Sequence, residues 1–467
     1  MPVHHQRSEL DHPIEEVFAW HTRPGAFDRL TPPWESVEVL ERTGEMWDGG
    51  KVVLGLRKGP AQLKWVVKHT AFEENVLFRD EQVSGPFGKW VHSHRFSDLG
   101  GGRTLMHDEV EWEAPLGALG NTFGAGFIAS ELRRLFAFRH RRLANDLELL
   151  RRYPLTPGMT VAVSGASGLV GTALTALLST GGHRVRPLVR RGSSGGGGDG
   201  IAWDPTDGTI DEGALAGVDA VVHLAGESIA GLRWTPEKKR RIMDSRAKGT
   251  LLLSEALARM SPRPAVLVSA SGADYYGARG NEVVTEDAPS GTGFLAEVCR
   301  AWEGATEPAR RAGIRTVLLR SGMVLSPKGG ALGQMLLPFK LGVGGRIASG
   351  RQYWSWIDLD DEVGLILHAL ATPGLAGPMN AVSPEPLPNA AFTDVLGRVV
   401  GRPTLIPLPG LAVRTLFGEM GQSLLVEGAR IVPRKAIASG YSFLFPDLED
   451  SLRHQLGKPE DGGGEGG

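Results

Sequence analysis

The chain has 467 residues, 41% of them hydrophobic, with a formal net charge of -2 and a single cysteine, Cys299. That length exceeds one ordinary core and sets an expectation of two or three domains, while near-neutrality supplies no bulk attraction for nucleic acid or an anionic membrane. One cysteine excludes an intramolecular disulfide framework and suits a reducing, cytoplasmic setting, and neither a secretory signal nor an apolar run of about 20 residues is present.

The first stretch, residues 1–152, opens with a short helical pattern from Pro13 to Thr22 that Pro24 and Gly25 end. Strand-like runs follow at Ser36–Leu40, Lys51–Leu56, Ala61–Lys68, Val76–Val83, Trp90–Phe96 and Arg103–Trp112, many alternating apolar with polar residues. That period belongs to a half-buried antiparallel sheet. From Phe127 to Leu150 the period becomes helical, with arginines on the opposite face. Helix, sheet and one long helix is the order of an α+β helix-grip fold.

Trp90, His92 and His94 alternate and therefore share one strand face. With no third ligand at a telling spacing, the two histidines are read as packing or hydrogen-bonding residues, and no metal is expected. On H-P-I-E-E-V-F-A-W-H, the F-R-D-E-Q-V-S-G-P-F-G-K-W-V-H-S-H-R-F block and the closing helix, this domain resembles the SRPBCC (START-like, polyketide-cyclase-like) superfamily. The resemblance implies an enclosed apolar cavity and a hydrophobic small-molecule ligand.

Arg151–Met159 breaks the helix with two prolines and a glycine, and an α/β pattern begins at Met159. The run T-V-A-V-S-G-A-S-G-L-V-G places a buried strand before Gly165, Ser167, Gly168, Leu169, Val170 and Gly171, where a helical pattern starts. Glycines let a backbone approach pyrophosphate, and the helix N-terminus stabilises its charge. The next strand, Arg184–Val189, ends in Arg190 and Arg191, about 20 residues past the last motif glycine, where dinucleotide sites read the ribose. Two arginines without an acid favour NADP over NAD, unless they are solvated surface residues. The glycine-rich run after them reads as a flexible loop.

Further alternation gives strands at Val218–Leu224, Ala265–Ser269 and Thr316–Arg320, and helices at Trp234–Met260 and Gly293–Ala312. The fold expectation is an α/β Rossmann-like, doubly wound parallel sheet over 159–380, a small substrate-side domain over 381–457, and a disordered tail, 458–467.

V-V-H-L-A-G-E, S-R-A-K-G-T-L-L-L-S-E-A-L and R-Q-Y-W-S-W-I-D-L-D-D-E-V make this part resemble the extended short-chain dehydrogenase/reductase superfamily. S-A-S-G-A-D-Y-Y-G, F-L-A-E-V-C-R-A-W-E and R-S-G-M-V-L-S-P-K-G-G-A-L are closer still to its atypical "epimerase family protein" branch. The resemblance implies cofactor contacts at Leu224, Ala225, Gly226, Arg246 and Ser269 besides the glycine turn. It also implies a substrate-polarising serine, Ser271. The superfamily's Tyr-x-x-x-Lys pair is missing: Leu295 stands at the tyrosine position, Cys299 at the lysine position, and Arg246 replaces an asparagine.

Three substitutes are weighed. Cys299 is either a reactive thiol or an inert packing residue. Tyr275 or Tyr276 supplies a relocated phenol, with Tyr276 the favoured candidate, or both pack near the nicotinamide. Glu303 is a base or a surface residue. Gln352, Trp354 and Trp356 are expected at the substrate pocket, with Arg351 holding an anion or pairing with Asp358 or Asp360. An NADP-dependent oxidoreductase or epimerase of a small-molecule substrate is placed first. A non-catalytic NADP(H) sensor is kept beside it, as is an N-terminal domain that presents an apolar molecule to the reductase domain. Whether the chain forms a homodimer is left open.

Overall fold

The computed structural model describes residues 1–59, 61–115, 118–190, 199–231 and 233–459, with backbone alone for residues 58 and 118–123. Arg191, most of the glycine-rich run after it and the tail from residue 460 lie outside the described residues. The chain divides into two compact units, Met1–Arg151 with Leu456–Gly467, and Arg152–Gln455. No described helix is long and apolar enough to cross a membrane.

In the first unit, seven antiparallel strands lie in the order Val3–Leu10, Arg103–Glu113, Lys89–Gly100, Leu77–Ser84, Ala61–Glu73, Lys51–Lys58 and Val37–Thr43. Along Arg103–Glu113 every second residue from Thr104 to Trp112 is buried, the alternation expected of a sheet with one wet face. The long helix runs from Ala118 to Arg152, further toward the N-terminus than its apolar period suggests. Gly120, Gly124 and Gly126 obscure that first part, because glycine is a poor helix former. Leu132 and Phe136 pack with Trp90, Val110 and Trp112, while Leu143 and Leu147 pack with Phe18, Phe78 and Phe96. This is the helix-grip arrangement. One strand was not expected: Val3–Leu10 turns His4, Gln6 and Ser8 toward the interior, so its alternation carries no hydrophobic signal.

In the second unit, eight strands follow the order Thr209–Ile210, Ile201–Asp204, Arg184–Val189, Thr160–Ser164, Ala220–His223, Val266–Gly272, Arg315–Ser321 and Gly377–Ala381. All neighbours are parallel except the first pair. Helices Leu169–Thr180 and Leu359–Ala371 pack together, as do Pro236–Arg259 and Phe294–Gly304, giving the doubly wound, Rossmann-like sheet. Strand order reverses between Thr160–Ser164 and Ala220–His223, and the carboxyl ends there open a crevice suited to a ligand.

Two local features differ from expectation. Gly377–Ala381, at the expected boundary between 380 and 381, is the sheet's last strand, which the sequence did not announce; Pro378, which donates no backbone hydrogen bond, is tolerated at an edge. The helix expected over Gly293–Ala312 is two helices, Phe294–Gly304 and Glu307–Arg311, with Pro308 in the first turn of the second.

Candidate functional site: the dinucleotide cleft and the surroundings of Ser271

The buried strand Thr160–Ser164 ends at Gly165, whose φ of 70° is left-handed. A Cβ there would stand 3.0 Å from the backbone of Leu224 and Ala225, so the turn lies directly against the end of the adjacent strand. Gly168 then donates its N–H to the Gly165 carbonyl (2.9 Å) and caps helix Leu169–Thr180. At Gly171 a Cβ would meet the Gly165 oxygen at 2.1 Å, which no side chain tolerates. Two glycines thus close the turn, while a Cβ on Gly168 would meet only the Gly165 oxygen, at 3.2 Å.

Behind the turn, Ser164 Oγ accepts the N–H groups of Leu224 and Ala225 (3.1 and 3.2 Å) and bonds His223 Nδ1 (2.6 Å). His223 Nε2 in turn meets Thr250 Oγ1 at 2.8 Å. Burial, aided by the Arg246 charge, lowers the His223 pKa to about 4, so the ring is neutral near pH 7.

The turn, Leu224–Glu227 and Arg190 line a cleft of about 1250 Å³. Arg240, Arg241 and Lys248 of helix Pro236–Arg259 line it too, together with the acids Glu227, Glu237 and Asp244. Sequence reasoning passed over these cations, although K-K-R-R (residues 238–241), close after the capping residue Thr235, was the signal for Arg240 and Arg241. Leu169 and Val170 open the first helical turn, and Ser167 borders the cleft. Ser269 is fully buried and bonds the Ala270 carbonyl at 3.3 Å.

Arg246, the replacement for asparagine, donates to the Glu227 carbonyl (2.8 Å) and lies 4.8 Å from the face of Trp302. A Cβ on Gly226 would come within 3.1 Å of its guanidinium carbon, so a small residue there admits the arginine. Burial lowers the Arg246 pKa, against the pull of Cys299, Asp274 and Glu227.

Ser271 donates to Glu303 Oε1 at 2.8 Å. Glu303 is held by Arg320 through Nε–Oε1 (2.8 Å) and Nη2–Oε2 (2.9 Å), a two-pronged buried pair. Arg320 Nη1 also donates to the Tyr276 hydroxyl (2.8 Å), which donates to Asn380 Oδ1 (2.7 Å). The guanidinium stacks 3.5 Å from the Tyr275 ring centre. Glu303 is therefore neither a solvated residue nor a free base.

Tyr276 is 0% exposed, and burial raises its pKa against the opposing Arg320 charge. Its phenol is committed to Arg320 and Asn380 inside the protein. Cys299 is also buried; its thiol donates to the Gly272 carbonyl (3.6 Å), and burial, with Asp274 and Glu303, pushes its pKa up to about 12. A thiol so held keeps its proton near pH 7, the environment of a packing residue rather than of an activated nucleophile. Leu295 is buried. Asp274, which the sequence reading missed, lies just beyond Ser271 on the turn Ala273–Tyr276; burial raises its pKa to about 6 despite the Arg246 charge. Nothing local distinguished it from an ordinary loop acid.

The expected pocket aromatics are buried packing residues instead. Trp354 stacks edge-on with Phe392, Trp356 donates to the Glu385 carbonyl, and Gln352 spans the carbonyls of Ile347 and Leu425. Arg351 is exposed, whereas Asp358 is fully buried and bonded by Ser451 and Gln455.

The chain matches the NAD dependent epimerase/dehydratase family over residues 161–381 and a domain of unknown function over 408–455. Residues 10–137 match the family described as polyketide cyclase / dehydrase and lipid transport. An epimerase family protein of Mycobacterium bovis is 44% identical over 299 residues, 64% of this chain and 98% of that protein. The human epimerase family protein SDR39U1, solved with NADPH, is 36% identical with a TM-score of 0.58, covering 63% of this chain and 98% of that one. A nucleoside-diphosphate sugar epimerase from Corynebacterium glutamicum is 33% identical over 97% of this chain and 90% of that one, with a TM-score of 0.81. The chain therefore belongs to the NAD dependent epimerase/dehydratase family, among its epimerase family proteins, and carries a polyketide cyclase-like unit ahead of the dinucleotide fold.

Proposed function

We propose that the second unit binds NADP(H) and acts as an oxidoreductase or epimerase on a small-molecule substrate. The observation that carries this reading is the glycine turn at the strand-order reversal, closed by Gly165 and Gly171 with Gly168 facing the cleft. Its residues fit a pyrophosphate: a helix N-terminus, a turn free of side-chain bulk and a cation-lined wall. Preference for NADP over NAD rests on Arg190 and Arg191, with Arg240, Arg241 and Lys248 as further phosphate partners, and is supported by the human relative solved with NADPH. Bound NADP(H) supplies hydride transfer.

The chain's own residues do the rest in this reading. Leu224, Ala225 and Gly226 form the floor beneath the cofactor, Ser269 backs it from the adjoining strand, and Arg246 holds its loop through the Glu227 carbonyl. Ser271, its proton engaged by Glu303, orients the substrate oxygen. Asp274, with a pKa of about 6, gains or loses a proton in the range where acid–base catalysis is effective. Tyr276 and Cys299 keep the Ser271–Asp274 turn in place. Residues 381–457 form the substrate side, and the first unit takes an apolar ligand in a cytoplasmic protein.

A second reading, a cofactor-binding sensor, is favoured by one observation: buried Leu295 and the protonated Cys299 thiol stand where the superfamily keeps its catalytic pair. Fluorescence titration of the full chain with NADPH and NADH tests the shared part, and equal affinities would sink the NADP preference. Deuteride transfer from labelled NADPH across sugars, enones and quinones separates the two. Turnover that Asp274→Asn lowers supports the enzyme; tight binding without transfer supports the sensor.

A further inference from the structure

The first unit buries a second cluster of chemistry-bearing side chains that the dinucleotide fold leaves unused. His92 and His94 point inward from strand Lys89–Gly100, and the sheet register sets Asp80 opposite His92 on one side and Asp108 opposite His94 on the other. The third ligand missing from the sequence is therefore on a neighbouring strand. Ligand atoms of Asp80, His92 and His94 all lie within 4.8 Å of one another.

We propose that Asp80, His92 and His94 form a binding site for one divalent transition-metal ion of the zinc class, with Asp108 as the carboxylate set against their outer nitrogens.

Distances decide between this site and an ordinary ion-pair cluster. Asp80 Oδ1 stands 3.5 Å from His92 Nδ1 and 3.7 Å from His94 Nε2, long for hydrogen bonds. Ligands at about 2.0–2.1 Å from a tetrahedral zinc ion are separated by about 3.3–3.4 Å, close to those two edges. The outer nitrogens face Asp108: His92 Nε2 bonds its Oδ1 at 3.2 Å, and His94 Nδ1 lies 2.6 Å from the same oxygen as a close ion-pair contact without hydrogen-bond alignment. Such carboxylate–imidazole contacts fix ring orientation in metal sites and leave the inner nitrogens aimed at the ion. Asp108 is itself anchored, since its other oxygen meets His140 Nε2 at 2.7 Å and Ser8 holds His140 Nδ1 at 2.7 Å.

Charge agrees with geometry. Two carboxylates, half-buried Asp80 and buried Asp108, balance one dication bound by neutral imidazoles. Three protein ligands leave a fourth position for water or for an oxygen of a bound molecule.

The test uses the full chain without a polyhistidine tag, stripped by chelator and titrated with Co(II) and Zn(II). We expect about one equivalent bound, visible d–d absorption from Co(II) and its displacement by Zn(II). Asp80→Asn and His92→Gln should abolish stoichiometric binding, and Asp108→Asn should weaken it about 10–100-fold. NADPH affinity and far-UV circular dichroism, unchanged across the set, show that loss of metal is not loss of fold. Sub-stoichiometric uptake by the folded wild-type chain, or equal uptake by Asp80→Asn, overturns the proposal and leaves the cluster an ordinary carboxylate–imidazole packing arrangement.

Discussion

The glycine turn and the surroundings of Ser271 sit at carboxyl ends of one sheet, yet they are built by opposite means. The turn takes its shape from consecutive residues, because Gly165 needs a left-handed backbone and Gly171 needs the absence of a Cβ. The Ser271 region takes its shape from side chains far apart in sequence: Glu303, Arg320, Tyr276 and Asn380. The first is a steric device and the second an electrostatic one. Steric devices fail by local clash, whereas electrostatic ones fail by stranding a buried charge.

The largest effect should come from stranding such a charge. Arg320→Met leaves Glu303 buried without its cation and should cost about 3–5 kcal/mol in urea unfolding. The double variant with Glu303→Leu should recover much of that; a single-variant cost under about 1 kcal/mol would erase the contrast.

Next to Arg320 in sequence, Ser321 donates to Glu362 Oε1 (2.6 Å), and burial raises the Glu362 pKa to about 7 despite that bond. A carboxylate pKa raised on folding stabilises fully below its unfolded value, and that stability is lost as pH rises toward 7. Glu362→Gln should therefore flatten the decline in stability between about pH 4.5 and 7, by at most about 3 kcal/mol. Parallel pH–stability curves for the two proteins would contradict this.

Gly171→Ala should destabilise by about 1–3 kcal/mol and weaken NADPH binding. Gly168→Ala, with its looser 3.2 Å approach, should cost less stability while still weakening binding. If the two variants lose stability equally, the turn is not organised by the Gly171 contact. The smallest effect falls on exposed Arg190: Arg190→Ala should stay within about 0.5 kcal/mol of wild-type stability and lower only the NADPH-over-NADH preference.

The same division explains what could be read from the sequence. The alternation in Arg103–Glu113 and the glycine spacing after Ser164 are local, and both led directly to structure. Val3–Leu10 escaped notice because His4, Gln6 and Ser8 face inward, and Gly377–Ala381 because an edge strand needs no hydrophobic period. Around Ser271 the residues were visible but their pairing was not. Nothing within a helix says that Glu303 meets Arg320, and nothing around Asp274 announces its burial. His92 and His94 were recognised as sharing a face, yet only the register supplied Asp80 and Asp108.

The bond series Ser164–His223–Thr250 has one more consequence. Because His223 gains a proton only near pH 4, the hydrogen bonds that join the two strand ends beneath the dinucleotide cleft keep one pattern from mild acid to alkaline conditions. The floor of the cleft is thus insulated from the acidity around it. A change in cofactor affinity between pH 5 and 8 therefore reports on the ligand's phosphates, the groups along the rim and Asp274, whose pKa is about 6, and not on this bond series.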